Sequence, residues 1–414
     1  MSKLENLIEE LCPDGVAYKT IDEIAIDIFR GSGIKRDEVT EEGIPCVRYG
    51  EIYTTYGIWF DQCVSHTVLD NVKSPKYFEY GDILFVITGE SVEDISKSTA
   101  YVGNEKCLAG VDIVVLKHNQ NPKYLSYALA TSNVRKQKSA GKVKSKVVHS
   151  SVPAIKQIII PVPPLDVQCE IVRILDNFTE LTAELTAELT AELTARKKQY
   201  EYYLNTFFKP SEKTKWKGME EEFPFIRNGF VGTATPYYTN KDDGIRYLQG
   251  TNIHNGVISD NKSIFITKEF HEKHIKNELK EDDILMVQSG HVGECAVVGD
   301  KYKGTNCHAL IIMSNGGNCD SRYISYYFNS PIGQSKLQSI ATGGTVKHIL
   351  ASKMKKFLIP VPPIEEQRRV VEILERFNTL CNDITTGLPA EIEARKKQYE
   401  YYRDKLLTFK RLEV

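Results

Sequence analysis

The sequence predicts an α+β chain: two tandem-repeated mixed α/β, β-rich domains separated by two long antiparallel helices packed as a coiled coil, with pseudo-two-fold symmetry. Three observations predict it. A block of residues returns 199 positions later, short apolar runs are punctuated by turn residues, and each block closes in a long helical pattern opened by prolines. The implied limits are residues 1–157 and 210–356 for the two domains, and 158–209 and 357–414 for the two helices.

The repeat is the firmest of the three. Ile160-Pro-Val-Pro-Pro-Leu165 returns as Ile359-Pro-Val-Pro-Pro-Ile364, and Arg196-Lys-Lys-Gln-Tyr-Glu-Tyr-Tyr203 returns unchanged at residues 395–402. Fainter echoes lie upstream: residues 43–50 with 244–250, 82–86 with 283–287, and 124–127 with 323–326. So constant an offset marks a tandem duplication rather than a short-period solenoid. Within each copy, the apolar runs at 83–87, 112–116, 284–287 and 310–313 are bounded by Gly, Asn and Asp, as strands are.

Proline is excluded from a helix interior but suits its entry, so Pro163-Pro164 and Pro362-Pro363 mark helix starts. Asp166, Glu365 and Glu366 follow them, where negative charge complements the helix dipole. Thr-Ala-Glu-Leu then runs three times over residues 182–193, and its leucines form one slowly drifting apolar stripe. The second helix offers Leu374, Phe377, Cys381, Ile384 and Leu388 at the spacing of a coiled-coil seam. Gly387 and Pro389 are expected to kink or break it. The two stripes are expected to pack on each other.

Composition excludes several classes. The 414 residues are 41% hydrophobic and 26% charged, an ordinary globular balance. No apolar run reaches membrane-spanning length, so no membrane partner is expected. The polar, acidic N-terminus fits neither a signal nor a transit peptide. Nine cysteines without a C-x-x-C pair argue against zinc ribbons and disulfide frameworks, and for a reduced, cytoplasmic setting.

The net charge of −2 hides an asymmetry. Residues 113–165 contain no acid but carry Lys117, Lys123, Arg135, Lys136, Lys138, Lys142, Lys144, Lys146 and Lys156. Residues 321–364 repeat the pattern with Arg322, Lys336, Lys347, Lys353, Lys355 and Lys356. One such stretch is usually a solvated face. Two at the same place in both copies favour a polyanion.

Chemistry-bearing motifs are missing. Phe29-Arg-Gly-Ser-Gly33 matches the glycine loop of S-adenosylmethionine-dependent methyltransferases, but its counterpart Phe230-Val-Gly-Thr-Ala234 loses the last glycine. No Asn/Asp-Pro-Pro-Phe/Tyr segment, phosphate loop or H-E-x-x-H helix is present. His66, His149, His254, His291 and His348 show no ligand spacing, so surface or hydrogen-bonding roles are expected and no metal site.

These features together closely resemble the specificity subunits of type I restriction–modification enzymes, of the subgroup with Thr-Ala-Glu-Leu repeats. The likeness runs over essentially the whole chain. It implies that each domain is a target recognition domain reading half of a bipartite, asymmetric sequence in double-stranded DNA. It implies too that the helices separate the domains and dock two methylation subunits, joined by restriction/translocase subunits. The chain would then be non-catalytic and hold no cofactor, with S-adenosylmethionine, ATP and Mg expected on the partners. A partnerless DNA-binding regulator or decoy is the alternative, and a stand-alone methyltransferase or nuclease is disfavoured by the missing motifs. The helix implies a ruler: each four-residue repeat adds about 6 Å.

By the same resemblance, segments 30–36, 141–146, 233–241 and 343–348 are DNA-proximal. Their candidate contacts are Arg30, Lys35, Arg36, Lys142, Lys144, Lys146, Thr235, Lys241, Thr345, Lys347 and His348. Phosphate contact is favoured over base readout at each. Leu185, Leu189, Leu193, Arg196, Lys197 and Tyr200 on the first helix, with Ile384, Leu388, Arg395, Lys396 and Tyr399 on the second, are the candidates for subunit docking or helix packing. Complementing the helix dipole explains the cations among them as well as docking does.

Overall fold

A computed structural model describes residues 2–89, 91–140, 147–210, 214–254, 256–344, 347–383 and 386–413. They form two compact units, Met1–Glu188 with Ile392–Val414, and Leu189–Glu391. Each unit therefore takes in part of both helical regions, where the repeat suggested separate helical segments.

In the first unit the run at 83–87 becomes strand Ile83–Val86, flanked by Ile113–His118 and Ser98–Tyr101. Ala25–Arg30 and Trp59–Phe60 complete this five-stranded sheet. A central strand covered on both faces has no polar side, which is why the run is continuous rather than alternating. Ile83, Phe85, Val114 and Leu116 face one core with Tyr124, Val167, Ile171 and Leu175 from the helices. Leu84, Val86, Ile113 and Val115 face the other, with Val47, Ile52, Phe78 and Tyr101. Each fully buried aliphatic side chain contributes about 1.5–3 kcal/mol. A second five-stranded sheet centres on Ile44–Val47, paired parallel to Cys107–Ala109.

The second unit repeats the plan with four strands per sheet. Ile284–Val287 lies between Leu310–Ser314 and Cys295–Val297, and Gly244–Leu248 pairs parallel to Asn306–Cys307. Ile284, Met286, Ile311 and Met313 face the helices, whereas Leu285, Val287, Leu310 and Ile312 fill the other core. This register corrects one alignment. Gly31 N–H donates to Ile113 O and Gly229 N–H donates to Leu310 O, both at 2.8 Å, so Gly31 corresponds to Gly229 and not to Gly232. A Cβ on Gly31 would lie 2.2 Å from Gly110 O, and one on Gly229 would lie 2.6 Å from Cys307 Sγ. Close strand packing explains both glycines.

The proline motifs begin as short strands that anchor the helices: Ile159–Pro161 pairs with Tyr18–Thr20, and Leu358–Pro360 with Trp216–Gly218. The first helix runs unbroken from Leu165–Phe207. The second stops at Asn382 and resumes as Leu388–Leu406, with Pro389 in its first turn. A Cβ on Gly387 would lie 2.5 Å from Thr379 O and 2.7 Å from Asp383 O, so the corner needs glycine.

Helix contacts are antiparallel within each unit. In the first, Phe178 stacks on Tyr399 (5.7 Å between ring centres) and meets Tyr402, while Val167 and Ile171 share a core with Leu407. In the second, Tyr200 and Tyr203 meet Phe377 at 6.5 and 5.3 Å, and Cys381 feels the charges of Arg196 and Lys197. The leucine stripe forms the seam only in its second half. Leu181 and Leu185 are 57% and 44% exposed, whereas Thr182, Thr186, Leu189, Leu193, Arg196 and Tyr200 make the half-buried line. A four-residue step overshoots the helical turn by about 40°, so strictly four-spaced leucines drift off any straight seam. Residues 409–412 are not helical: Val16 N–H donates to Lys410 O at 2.8 Å and Leu412 N–H to Val16 O at 2.9 Å, closing the first unit. Among the described residues, no helix is long and apolar enough to cross a membrane.

Candidate nucleic-acid interface

In the first unit the strand Ile44–Val47 runs into a capped turn. Glu51 is buried, and its carboxylate accepts from Arg48 N–H (3.0 Å), Arg48 Nε (3.1 Å) and the Ser65 hydroxyl (2.8 Å). The turn presents Arg48, Tyr49 and Gly50 to a cleft of about 430 Å³ that Ile34, Arg36 and Val111 also line. Arg30 does not line it but donates to the carbonyl of one lining residue, Val111 O, at 2.6 Å, and to Asp112 Oδ1 at 2.7 Å. Lys35 is exposed and sits 3.4 Å from Glu38. A second cleft, of about 580 Å³, shares Tyr49, Gly50 and Thr54 and is bounded by Tyr53, Thr88, Asp94 and Val147. Ile34 and Arg36 of segment 30–36 and Val147 thus line adjoining clefts. Lys142, Lys144 and Lys146 lie outside the described residues.

The second unit keeps the turn and changes its chemistry. Gln249 N–H donates to Asn252 Oδ1 at 2.9 Å, so Gln249 and Gly250 stand where the first unit has Arg48 and Tyr49. Lys347 lines a cleft of about 510 Å³ with His291, Glu294, Gln334, Gln338 and Gly344, and its ammonium donates to Gln338 at 3.3 Å. Thr235 and Lys241 are exposed on another loop and do not reach that cleft. Thr345, like Ile384 between the helices, falls outside the described residues.

A pairing that sequence reading missed recurs in both units. The Nδ1 atom of His149 lies 3.4 Å from Thr88 Oγ1, and that of His348 lies 2.6 Å from Ser289 Oγ. Backbone pairs reinforce each contact: Val148–His149 with Thr88–Gly89, and Ser289 with His348. Each histidine therefore pins one end of a basic segment to the sheet. The hydrogen-bonding role expected for these two histidines is the observed one.

The acid-free stretches are less available to a polyanion than their charge count suggests. Lys117 pairs with Glu79 and Asp82, Lys123 with Asp176, Arg135 with Glu400 and Lys156 with Asp22. Lys138 is buried, and burial lowers its amine to about 7. In the second stretch Arg322 pairs with Asp320 and Glu375, and Lys336 lies over the Trp216 ring. Folding supplies acids from elsewhere in the chain, which a linear count does not see.

On the helices, burial raises Tyr200 to about 12, and Tyr399 also bonds the Thr179 hydroxyl at 2.9 Å. Leu388 is buried, whereas Lys197 and Lys396 are exposed. Arg196 pairs with Glu192 at 3.3 Å, and Arg395 donates to Gln398 at 3.3 Å. Two buried glutamines, singled out by nothing in their spacing, tie domain to helix. Gln168 accepts from Asn121 N–H (3.0 Å) and donates to Pro163 O (2.7 Å); Gln367 accepts from Asp320 N–H (2.8 Å) and donates to Pro362 O (2.8 Å).

The histidine reading needs one correction. His254 and His291 come together with Glu294, their ligand atoms within 4.8 Å of one another. Residues distant in sequence meet here through a loop that folds back, so linear spacing gave no sign of it.

Comparison with known proteins follows the same two-part division. The family model for the type I restriction modification DNA specificity domain matches residues 13–195 and again 207–394. A Haemophilus influenzae chain named as a type I restriction enzyme specificity subunit is 35% identical over 314 residues, 72% of this chain and 75% of its own length. An Escherichia coli type I restriction enzyme specificity subunit is 36% identical over 289 residues, 63% of this chain and 65% of that protein. The HsdS subunit from Thermoanaerobacter tengcongensis gives a TM-score of 0.56 at 15% identity, covering 96% of each chain. A chain solved in work on assembly and conformational transition of the type I R-M system gives 0.69 at 16% identity, covering 95% of this chain and 97% of that one. At these identities the two structural likenesses speak for the fold.

Proposed function

Because the chain belongs to the type I restriction–modification DNA specificity family, and is a DNA sequence-specificity subunit, we propose that each unit reads one half of a bipartite, asymmetric target in double-stranded DNA. One observation carries this reading. The same capped turn offers Arg48 and Tyr49 in the first unit and Gln249 and Gly250 in the second. A guanidinium favours guanine edges or phosphates, and a carboxamide favours adenine. Two turns alike in backbone and unlike in side chains suit two unrelated half-sites.

Arg36, Arg48 and Lys347 serve as cleft-lining contacts, with Arg30, Lys35, Lys142, Lys144, Lys146, Thr235, Lys241 and Thr345 as flanking ones. His348 holds its segment in place. The chain itself is non-catalytic. Its helices dock two methylation subunits, and restriction/translocase subunits complete the enzyme; S-adenosylmethionine, ATP and Mg²⁺ belong to those partners. Exposed Lys197, Tyr202, Lys396 and Tyr401 on the repeated helical motif support a docking role, since among the described residues of each unit they stay open to solvent.

The test is a genome-wide map of N6-methyladenine in cells with and without the gene. Loss of one gapped, asymmetric motif is expected on deletion, and replacing Arg48 by Ala should alter only one half of it. An unchanged map would overturn the reading in favour of a partnerless DNA binder.

A further inference from the structure

We infer that the second unit carries a site for a divalent transition-metal ion of the zinc class, formed by His254 Nδ1, His291 Nε2 and Glu294 Oε2. The loop after strand Ile284–Val287 is tightly closed: Val287 N–H donates to Glu294 O at 2.8 Å, and Gly293 N–H donates to Val287 O at 3.0 Å. Gly290 and Gly293 take φ of +90° and +93°, which glycine adopts without strain. This fold-back sets His291 and Glu294 beside His254, which ends the short strand Ile253–His254. The two imidazoles stack at 4.7 Å and 22°.

The distances favour a cation over a hydrogen bond. Glu294 Oε2 lies 3.5 Å from His254 Nδ1 and 3.8 Å from His291 Nε2, too far to bond either well. With zinc–nitrogen and zinc–oxygen bonds of about 2.0–2.2 Å in a tetrahedron, ligand atoms stand ~3.3–3.6 Å apart. Glu294 Oε2 is also buried with no hydrogen-bond partner, an expensive state for a carboxylate oxygen that a cation would relieve. Without metal, His291 Nε2–H donates to Gly250 O (3.1 Å) and Ile253 O (3.2 Å). Metal binding at Nε2 requires the neutral tautomer with its proton on Nδ1 instead, and places two carbonyl oxygens beside the ion. Two imidazoles and one carboxylate suit zinc, cobalt or nickel better than magnesium, which prefers oxygen ligands throughout. The bound ion would brace the turn at 250–254 against the loop that reaches Ser289 and His348. In the first unit Tyr53 stands at the place of His254, and among the described residues the His–His–Glu set occurs in the second unit.

The experiment uses the full-length, untagged chain stripped with EDTA. Zn²⁺ binding is measured by competition with a chromophoric chelator, alongside thermal denaturation and the absorption bands of the Co²⁺ form. One equivalent is expected to bind with micromolar or tighter affinity and to raise the Tm, with Mg²⁺ failing to substitute. His254→Ala, at an exposed position that leaves the core intact, and Glu294→Gln should each weaken binding at least about tenfold and abolish the Co²⁺ bands. Absence of binding would overturn the proposal. So would binding that both variants keep, which would place the ion elsewhere, for instance on cysteines.

Discussion

Lys138 shows how far a side chain's surroundings override its identity. It lies in the basic stretch of the first unit, yet its ammonium is buried against Leu129 O (2.9 Å), Ser98 Oγ (3.2 Å) and the face of Phe85 (5.7 Å), with Arg135 as the nearby charge. Burial without a carboxylate penalises the charged form, so the folded value falls from 10.5 to about 7. The folded state then binds fewer protons than the unfolded state between those values. Lys138 therefore costs nothing above about pH 10.5, and its penalty grows as pH falls towards about 7 and is complete below it. Lys138→Met should raise stability most at neutral and lower pH. Denaturant melts between pH 6 and pH 10 would show the gain shrinking as pH rises, and a gain independent of pH would refute this account.

The junction between each domain and its helix rests on one buried amide. Gln168 and Gln367 sit at the fourth residue of their helices, each bonded to a domain backbone N–H and to a proline carbonyl. Removing such a side chain leaves two backbone groups unpaired at a partly buried junction, a loss of up to about 1–3 kcal/mol per group where water cannot replace the bond. Gln168→Ala and Gln367→Ala should each lower the Tm by several degrees, and hydrogen exchange should rise around Asn121 and Asp320 respectively. Unchanged exchange at those amides would show that the glutamines do not hold the junction. The leucine repeat behaves differently: its first two members are exposed, and aromatic pairs such as Phe178–Tyr399 and Tyr203–Phe377 make helix contacts on either side of it.

Taken together, the two units share one backbone plan and differ in the side chains at the capped turn, which is what the proposal of two unrelated half-sites requires. The unbroken helix Leu165–Phe207 contains the Thr-Ala-Glu-Leu array. Deleting residues 186–189 removes about 6 Å of helix, roughly the rise of two base pairs. Methylation mapping of the deletion variant should report the same two half-sites with a shorter spacer. An unchanged spacer would exclude the helix as a ruler.

The duplication, the central strands, the helix starts after each PVPP and the break at Gly387 were all readable in sequence. Each is a local property: identity at a fixed offset, a run of apolar residues, or a residue whose backbone permits only certain angles. The charge stretches were read correctly as positive but not as partly neutralised, because Asp176, Glu400 and Asp22 arrive from distant segments. The leucine stripe was visible, yet which face is covered depends on the partner helix and on the angular drift of a four-residue repeat. The histidine–hydroxyl pairs, the glutamine junctions and the His254–His291–Glu294 cluster were invisible for the same reason. Periodicity and backbone preference act between near neighbours and are written into the chain; charge pairing, ligand geometry and cleft chemistry arise between residues far apart, and exist only once folding has brought them together.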